Sequence, residues 1–330
     1  MEKIIVTGSC GFIGFNFIKS LNENYEIIGI DSINNAYDPK LKELRLEELK
    51  KISNFKYLKI DLSEKNEIQN NKKTLSESST IFHLAARAGV RQSYLEPNKY
   101  IRDNTTASVN VASMAKELKI NNVILASTSS IYGDTGNTFA TENKDELNEP
   151  PSIYAATKSF GETLIKNVLS GDDQKIKIGR FFTVYGPYGR PDMSILRFIH
   201  WISTDQEVII YGDGNQRRSF TYVEDIINGL NKLKNYEESD TFNFGSDITW
   251  SLIEIISKIE TLLGKKANLV FKERAFRDVD VVLPNLNKSK ENLDWQPRID
   301  IDEGLNRTID WYKNNENYLK NIKFKYKYEK

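Results

Sequence analysis

The first half of the chain alternates short apolar runs with segments whose apolar positions recur at helical spacing. Lys3–Thr7, Glu26–Asp31, Lys56–Ile60, Thr80–Leu84, Asn122–Ser127 and Lys175–Phe181 are predicted as strands. Between most of them lie amphipathic segments such as Phe12–Asn22, Leu41–Ile52 and Ala107–Leu118, predicted as helices. Strands alternating with helices imply a parallel sheet with helices on both faces. The expected fold class is therefore α/β, a doubly wound parallel sheet.

After about Val184 the pattern changes. Tyr185-Gly186-Pro187-Tyr188-Gly189-Arg190-Pro191 is loop chemistry. Ser194–Ser203 then reads as a helix, Glu207–Tyr211 as a short strand and Gly212–Gly214 as a turn, with further helices over Val223–Lys234 and Ser251–Leu263. These elements predict a smaller C-terminal α/β lobe over 185–330, added to a sheet domain over 1–184. The chain is expected to return to the sheet domain near 219–246, with the strand-like run at Asp240–Gly245. The lysine- and tyrosine-rich tail, Lys320–Lys330, reads as a solvated or partly docked terminus.

Composition narrows the classes. The 330 residues suffice for a well-buried core, and 46 Lys+Arg balance 46 Asp+Glu, so no net field favours nucleic acid or an anionic membrane. No apolar run approaches bilayer length. The predicted first strand begins at Lys3, which leaves no room for a signal peptide. Cys10 is the single cysteine, so an intrachain disulfide is excluded and a cytoplasmic, reducing location is expected. With only His83 and His200 as imidazoles and no Cys/His cluster, no metal site is expected.

The chemistry-bearing residues begin at Thr7-Gly8-Ser9-Cys10-Gly11-Phe12-Ile13-Gly14, which follows a strand and opens a helix. Such glycines permit a tight turn, backbone approach to a pyrophosphate and close helix–strand packing, while the helix N-terminus faces the anion. This is the phosphate cradle of a Rossmann-type fold, spaced GxxGxxG. Asp31 ends the second strand, 17 residues after Gly14, where a carboxylate accepts ribose hydroxyls and repels a 2′-phosphate; NAD is favoured over NADP. Asp61 ends the third strand, followed by Leu62, and either contacts the adenine edge or builds the turn Asp61-Leu62-Ser63. Tyr154 and Lys158 stand four residues apart, hence on one helix face. A free phenol is a poor base at neutral pH; a neighbouring ammonium and an oxidised nicotinamide both favour the phenolate. Tyr154 then exchanges a proton with an alcohol while a hydride moves to NAD. The polar run Ser127-Thr128-Ser129-Ser130 after a strand suits side chains aimed into a cleft.

Taken together, Gly8-x-x-Gly11-x-x-Gly14, Asp31, His83-Leu84-Ala85-Ala86, Thr128, Tyr154-x-x-x-Lys158 and Arg180-Phe181-Phe182-Thr183-Val184-Tyr185-Gly186-Pro187 resemble an extended short-chain dehydrogenase/reductase over nearly the whole chain. Ala86-Arg87-Ala88-Gly89-Val90-Arg91 and Gly186-Pro187-Tyr188-Gly189-Arg190-Pro191-Asp192-Met193 resemble the UDP-glucuronate 4-epimerases among its nucleotide-sugar epimerases. The resemblance implies tightly held NAD, with Phe12, Ile13, Leu62, Leu84, Ala85 and Ala86 among its contacts. It implies that Tyr154 is the acid/base, that Lys158 lowers its pKa and holds the nicotinamide ribose, and that Thr128 bonds the reacting hydroxyl. It also implies a UDP-sugar substrate and a homodimer built on the helices after Ala107 and Ser152.

Within that resemblance local residues select the reaction. Sugar 4,6-dehydratases carry an acidic pair after the threonine, and glucuronate decarboxylases a Thr-Ser-Glu; here Ser129 and Ser130 follow Thr128. C4 epimerisation of UDP-glucuronate to UDP-galacturonate is the reading these serines leave. A C6 carboxylate needs a cation or several hydroxyl donors, and Arg190, Thr183, Ser129 and Ser130 are the candidates. Arg218 fits the family's phosphate-binding arginine, with Arg217 beside it, although Ser219 stands where the family usually has aspartate. Arg274 or Arg277, near Asp278, supplies a second diphosphate contact. Arg91 lies in the substrate-side motif, Tyr211 either stacks near the uracil or fills the lobe's core, and Asn104 bonds the sugar or a structural water. The competing readings are a 4-epimerase of a neutral sugar (UDP-glucose or UDP-N-acetylglucosamine), which needs no Arg190, and a non-catalytic NAD-binding protein, which needs no Tyr154.

Overall fold

Seven parallel strands form the central sheet in the computed structural model of the chain, which describes residues 1–136, 138–143, 149–274 and 279–324. They are β1 (Glu2–Thr7), β2 (Tyr25–Asp31), β3 (Phe55–Lys59), β4 (Thr80–His83), β5 (Asn122–Thr128), β6 (Lys175–Phe181) and β7 (Asp240–Phe244). Their spatial order is β7-β6-β5-β4-β1-β2-β3. Alternate residues serve opposite layers: Ile4 and Val6 pack with one apolar cluster while Ile5 packs with the other. That double burial is why these strands read as continuous apolar runs.

The helices that cover the sheet are α1 (Phe12–Ser20), α2 (Lys40–Leu49), α3 (Ala107–Glu117) and α4 (Ile153–Val168), followed by α5 (Ser194–Ser203), α6 (Val223–Asn235), α7 (Leu252–Leu263) and α8 (Ile301–Asn314). Phe12, Phe15 and Phe17 of α1 share a cluster with Val223, Ile226 and Leu230 of α6. Val111 and Ala115 of α3 and Ile165 of α4 cover the opposite face. A third cluster joins α5, the strand Glu207–Tyr211, α7 and α8, with Leu41 of α2. That strand pairs in parallel with Asn268–Lys272, and Thr183–Tyr185 pairs with Phe220–Tyr222.

The predicted strands and helices lie within a few residues of the observed ones. The helix predicted to Asn22 stops at Ser20 because Leu21 is already extended (φ −78°, ψ 146°). β7 lies beside β6, with Asp240 opposite Lys177 and Phe244 opposite Phe181. The pattern did not foretell a π-helical stretch, Ile101–Thr106, leading into α3. Strand order reverses between β1 and β4, so the connections leaving them diverge and open a crevice above their C-terminal ends. Among the described residues no helix is long and apolar enough to cross a membrane, and no His/Cys/Asp/Glu cluster could hold a metal.

Candidate active site

The crevice is a cleft of about 350 Å³, floored by the glycine-rich turn. Gly8 takes φ +68°, a left-handed conformation open to glycine, and an added Cβ there would lie 2.8 Å from Ala85 N. At Gly14 an added Cβ would lie 2.3 Å from Gly8 O. α1 begins at Gly11 with no side-chain cap, so its first-turn N–H groups face the cleft in want of acceptors. A cradle that excludes side chains and presents donors at a helix start fits a dinucleotide pyrophosphate.

Asp31 closes the cradle on one side. Its carboxylate accepts from Cys10 N at 3.1 Å and Ile33 N at 2.8 Å, and it lines the cleft. The Asp61 carboxylate builds the predicted turn, accepting from Ser63 N and Ser63 Oγ, and it also lines the cleft. Phe12, Ile13, Leu62, Leu84, Ala85 and Ala86 also line it. His83 sits beneath: Thr7 Oγ1, which accepts from Ala85 N, lies 2.8 Å from His83 Nδ1, and Ser108 Oγ lies 3.2 Å from Nε2. Burial, with Lys158 nearby, pushes the His83 pKa down to about 3, so the ring is neutral.

Thr128 ends β5 and caps the 3-10 turn Ser129–Tyr132, its Oγ1 accepting from Ser130 N at 3.1 Å. α4 starts at the Ser152 cap, where Ser152 Oγ accepts from Ala155 N, and this sets Tyr154 and Lys158 along the cleft. The electrostatics differ from the sequence expectation. Burial holds the Tyr154 phenol above its ordinary value; the Thr128 hydroxyl and Arg190 oppose that rise. Lys158 is itself brought down to about 8 by burial, against the pull of Glu162. Both groups have lost water, and in the chain alone that loss outweighs the opposing pull of Thr128 and Arg190 on the phenol and of Glu162 on the ammonium. Below them the Glu162 carboxylate accepts from Ser127 Oγ at 2.5 Å and from Arg180 Nη2 at 2.9 Å, bolting α4 to β5 and β6.

A second cleft of about 190 Å³ adjoins the first, and Thr183, Arg190 and Met193 line both. Ser129 and Ser130 line the first, while Arg91, Tyr211 and Arg218 line the second. Arg190, expected to pair with a substrate carboxylate or to organise the pocket, is already engaged within the chain. Its Nε donates to the buried Asp192 at 3.0 Å and its Nη2 to Ala88 O at 3.2 Å, so its charge is already balanced. One face of the Tyr211 ring carries the Arg91 guanidinium at 4.3 Å, which takes the surface expected to stack on a base. Arg218 Nη1 donates to Arg217 O and Asp280 O. Arg217 itself is tied to Thr249 and Glu254 and does not share the site. Ser219 bonds Ser246 through its hydroxyl instead of bracing Arg218. Arg274 pairs with Asp280 at 2.6 Å, and Arg277 and Asp278 lie outside the described residues.

Asn104 is a correction. It is 2% exposed, accepts from Arg87 N at 2.7 Å, and donates to Arg87 O and Thr157 Oγ1, each at 3.0 Å. Its amide is spent on pinning the π-helical turn to the loop after β4 and to α4, and it does not line either cleft. Sequence reasoning missed Ser32, Asn34, Tyr37 and Lys42, which line the first cleft beside Asp31. Lys42 Nζ donates to Asn34 Oδ1 at 2.9 Å and lies 3.9 Å from Asp31 Oδ1. A signal existed: the buried face of α2 is Leu41, Lys42, Arg45, Leu46 and Leu49, and cations on a core face call for a reason.

The sequence pattern of the NAD dependent epimerase/dehydratase family matches residues 4–245. The UDP-glucuronate 4-epimerase of Thermodesulfobacterium geofontis is 41% identical over 325 residues, covering 98% of this chain and 100% of that protein. The crystal structure of UDP-glucuronic acid 4-epimerase from Bacillus cereus, in complex with UDP-glucuronic acid and NAD, superposes with a TM-score of 0.88 at 31% identity, over 94% of this chain and 99% of that one. A UDP-glucose 4-epimerase from Thermotoga maritima, solved with UDP-glucose, reaches a TM-score of 0.86 at 25% identity, over 95% of this chain and 99% of that one.

Proposed function

This chain belongs to the NAD dependent epimerase/dehydratase family, and from that premise we propose that it interconverts UDP-glucuronate and UDP-galacturonate by epimerisation at C4. NAD fits the first cleft, where the glycine cradle takes its pyrophosphate and Asp31 its adenosine ribose, and when bound it accepts and returns the hydride at sugar C4. The second cleft takes the UDP part, with Arg218 at the diphosphate. The carrying observation is the junction of the two clefts. Thr183 lines both clefts, Ser129 and Ser130 line the first together with Tyr154, and neither residue directly after Thr128 is a carboxylate.

Tyr154 removes the proton of the C4 hydroxyl and later returns one to the C4 oxygen, after the keto sugar has turned its opposite face. Thr128 and Arg190 already oppose the burial that raises the phenol's pKa, and the positive ring of oxidised NAD would lower it further. Thr128 holds the reacting oxygen. Binding energy sits on the nucleotide, which leaves the keto sugar free to turn about its diphosphate. Since Arg190 is balanced by Asp192, the serines and Thr183 carry the C6 carboxylate. A 4-keto uronate is a β-keto acid and loses CO2 readily, and neutral hydroxyls hold it without supplying an acid.

The same balance at Arg190 favours a second reading, a 4-epimerase of a neutral UDP-sugar. Proton NMR of the purified protein with UDP-glucuronate and no added NAD separates the two. UDP-galacturonate establishes uronate epimerisation and retained cofactor together. UDP-pentose products mean decarboxylation, and no change followed by conversion of UDP-glucose means the neutral-sugar reading. We further infer a cofactor domain over 1–184 with a return near 219–246, a sugar-nucleotide lobe over 185–330, and a homodimer through α3 and α4. Supporting the dimer, Ile101 and Phe160 are 49% and 54% exposed on the π-helical stretch leading into α3 and on α4. A cytoplasmic place and a role in polysaccharide precursor supply complete the reading, consistent with a single cysteine and balanced charge.

A further inference from the structure

Arg45 is fully buried on α2, midway between the cofactor cradle and the loop that carries Arg190. Its Nη1 donates to Cys10 O at 2.9 Å and to Tyr37 Oη at 2.6 Å. Its Nη2 donates to Tyr188 O at 2.6 Å and Gly189 O at 3.1 Å, while Nε has no partner. Cys10 lies within the glycine-rich turn, and Tyr188 and Gly189 immediately precede Arg190, which lines both clefts. One planar fork therefore grips backbone carbonyls from two segments 178 residues apart, at Cys10 and Tyr188.

The gripped loop is not held by ordinary backbone preference. Tyr188 takes φ +58°, a conformation that bulky residues seldom adopt. Its ring lies 4.4 Å from Phe15 of α1 and 4.8 Å from Trp311 of α8. A displacement of the cradle at Cys10 O thus reaches Tyr188 and Gly189 through a rigid guanidinium, and from there Arg190.

We propose that Arg45 is a positioning residue that couples the two clefts, so that nucleotide in one tightens the hold on dinucleotide in the other. This rests on the reading that the clefts take NAD and a UDP-sugar. Coupling between sites is reciprocal in affinity, so UDP must tighten NAD binding by the same factor by which NAD tightens UDP binding, and the proposal places that gain in slower NAD release. A lysine at this position keeps the charge but not the fork.

The test measures NAD release from the holoenzyme on dilution, with and without saturating UDP, with UDP binding followed separately by calorimetry. In the wild type UDP is expected to slow release by about tenfold. In Arg45→Lys, with UDP still bound, the expected slowing is less than about twofold. A merely structural role would speed release equally with and without UDP, so an unchanged ratio in Arg45→Lys overturns the coupling, as does a wild type indifferent to UDP. Failure of UDP to bind the wild type removes the nucleotide-sugar reading and the coupling with it. Should Arg45→Lys not fold, hydrogen exchange in the wild-type holoenzyme decides. UDP must slow exchange in peptides covering Cys10 as well as residues 186–190, and slowing confined to the latter overturns the proposal.

Discussion

The two clefts are made of different material. The cofactor cradle is built from contiguous backbone, and its shape depends on atoms that are missing: an added Cβ at Gly8 or Gly14 meets main chain at 2.8 or 2.3 Å. The second cleft, the proposed seat of the sugar nucleotide, is built from side chains of separate segments, and its cations come with companions. Arg190 has Asp192, Arg91 has the Tyr211 ring, and Arg218 has the carbonyls of Arg217 and Asp280. A cradle of this kind fails through steric conflict. A cleft of balanced cations fails by degrees, through weaker affinity.

The largest effect is expected where the two meet. Tyr154→Phe removes the oxygen that moves the proton and should lower kcat about 100- to 10,000-fold, with NAD still bound and UDP affinity unchanged; a variant retaining most turnover would sink the mechanism. On the cradle side, Gly14→Ala forces a methyl against Gly8 O and should cost about 1–3 kcal/mol of stability together with NAD retention. Thermal melting and acid-released NAD read both, and a variant that keeps its cofactor would mean that the turn is more pliant than its contacts imply. On the other side, Arg218→Ala should raise KM for the UDP-sugar about tenfold while cofactor content stays level. Loss of NAD in that variant would erase the contrast between the clefts.

The smallest effect is the pH slope that His83 contributes on the cradle side. The folded-state pKa of His83 is depressed to about 3 from 6.5, so the folded chain stays neutral where the unfolded chain takes up a proton. Its contribution is therefore full above pH 6.5 and is lost as the pH falls toward 3. Between pH 6.5 and about pH 5.5 the expected loss is about 1 kcal/mol. Denaturant midpoints across that range check it; His200, pushed down to about 4 by burial, adds a like slope, so His83→Gln should remove about half of the histidine contribution.

The same contrast explains what the sequence disclosed. The cradle, Asp31 and the Tyr154–Lys158 pair are local: turn, strand end and helix face each follow from a few neighbouring residues. Asn104 shows the opposite case. Its place on a helix suggested a purpose, but its partners stand 17 residues before it and 53 after it, so the purpose was structural and only the fold reveals it. The companion of Arg190 is two residues away in sequence, but whether the two side chains meet depends on the turn that joins them. The direction of the Tyr154 shift escaped for a similar reason, since spacing gives the neighbour and not the water both groups surrender. Ser32 and Tyr37, beyond β2, line the cleft because of how α2 returns over the sheet, which no local signal records.

The strand β7 joins the sheet only after the chain has already built much of the other lobe. During synthesis, β6 therefore waits with one side unpaired until residue 244 has emerged, although its residues from Ile176 on are buried in the finished fold. An edge of that kind invites pairing with other chains. A fragment ending at residue 184 would keep every residue of the glycine cradle and still present that open edge for good, so the piece that holds the most recognisable motif is also the piece most prone to aggregate.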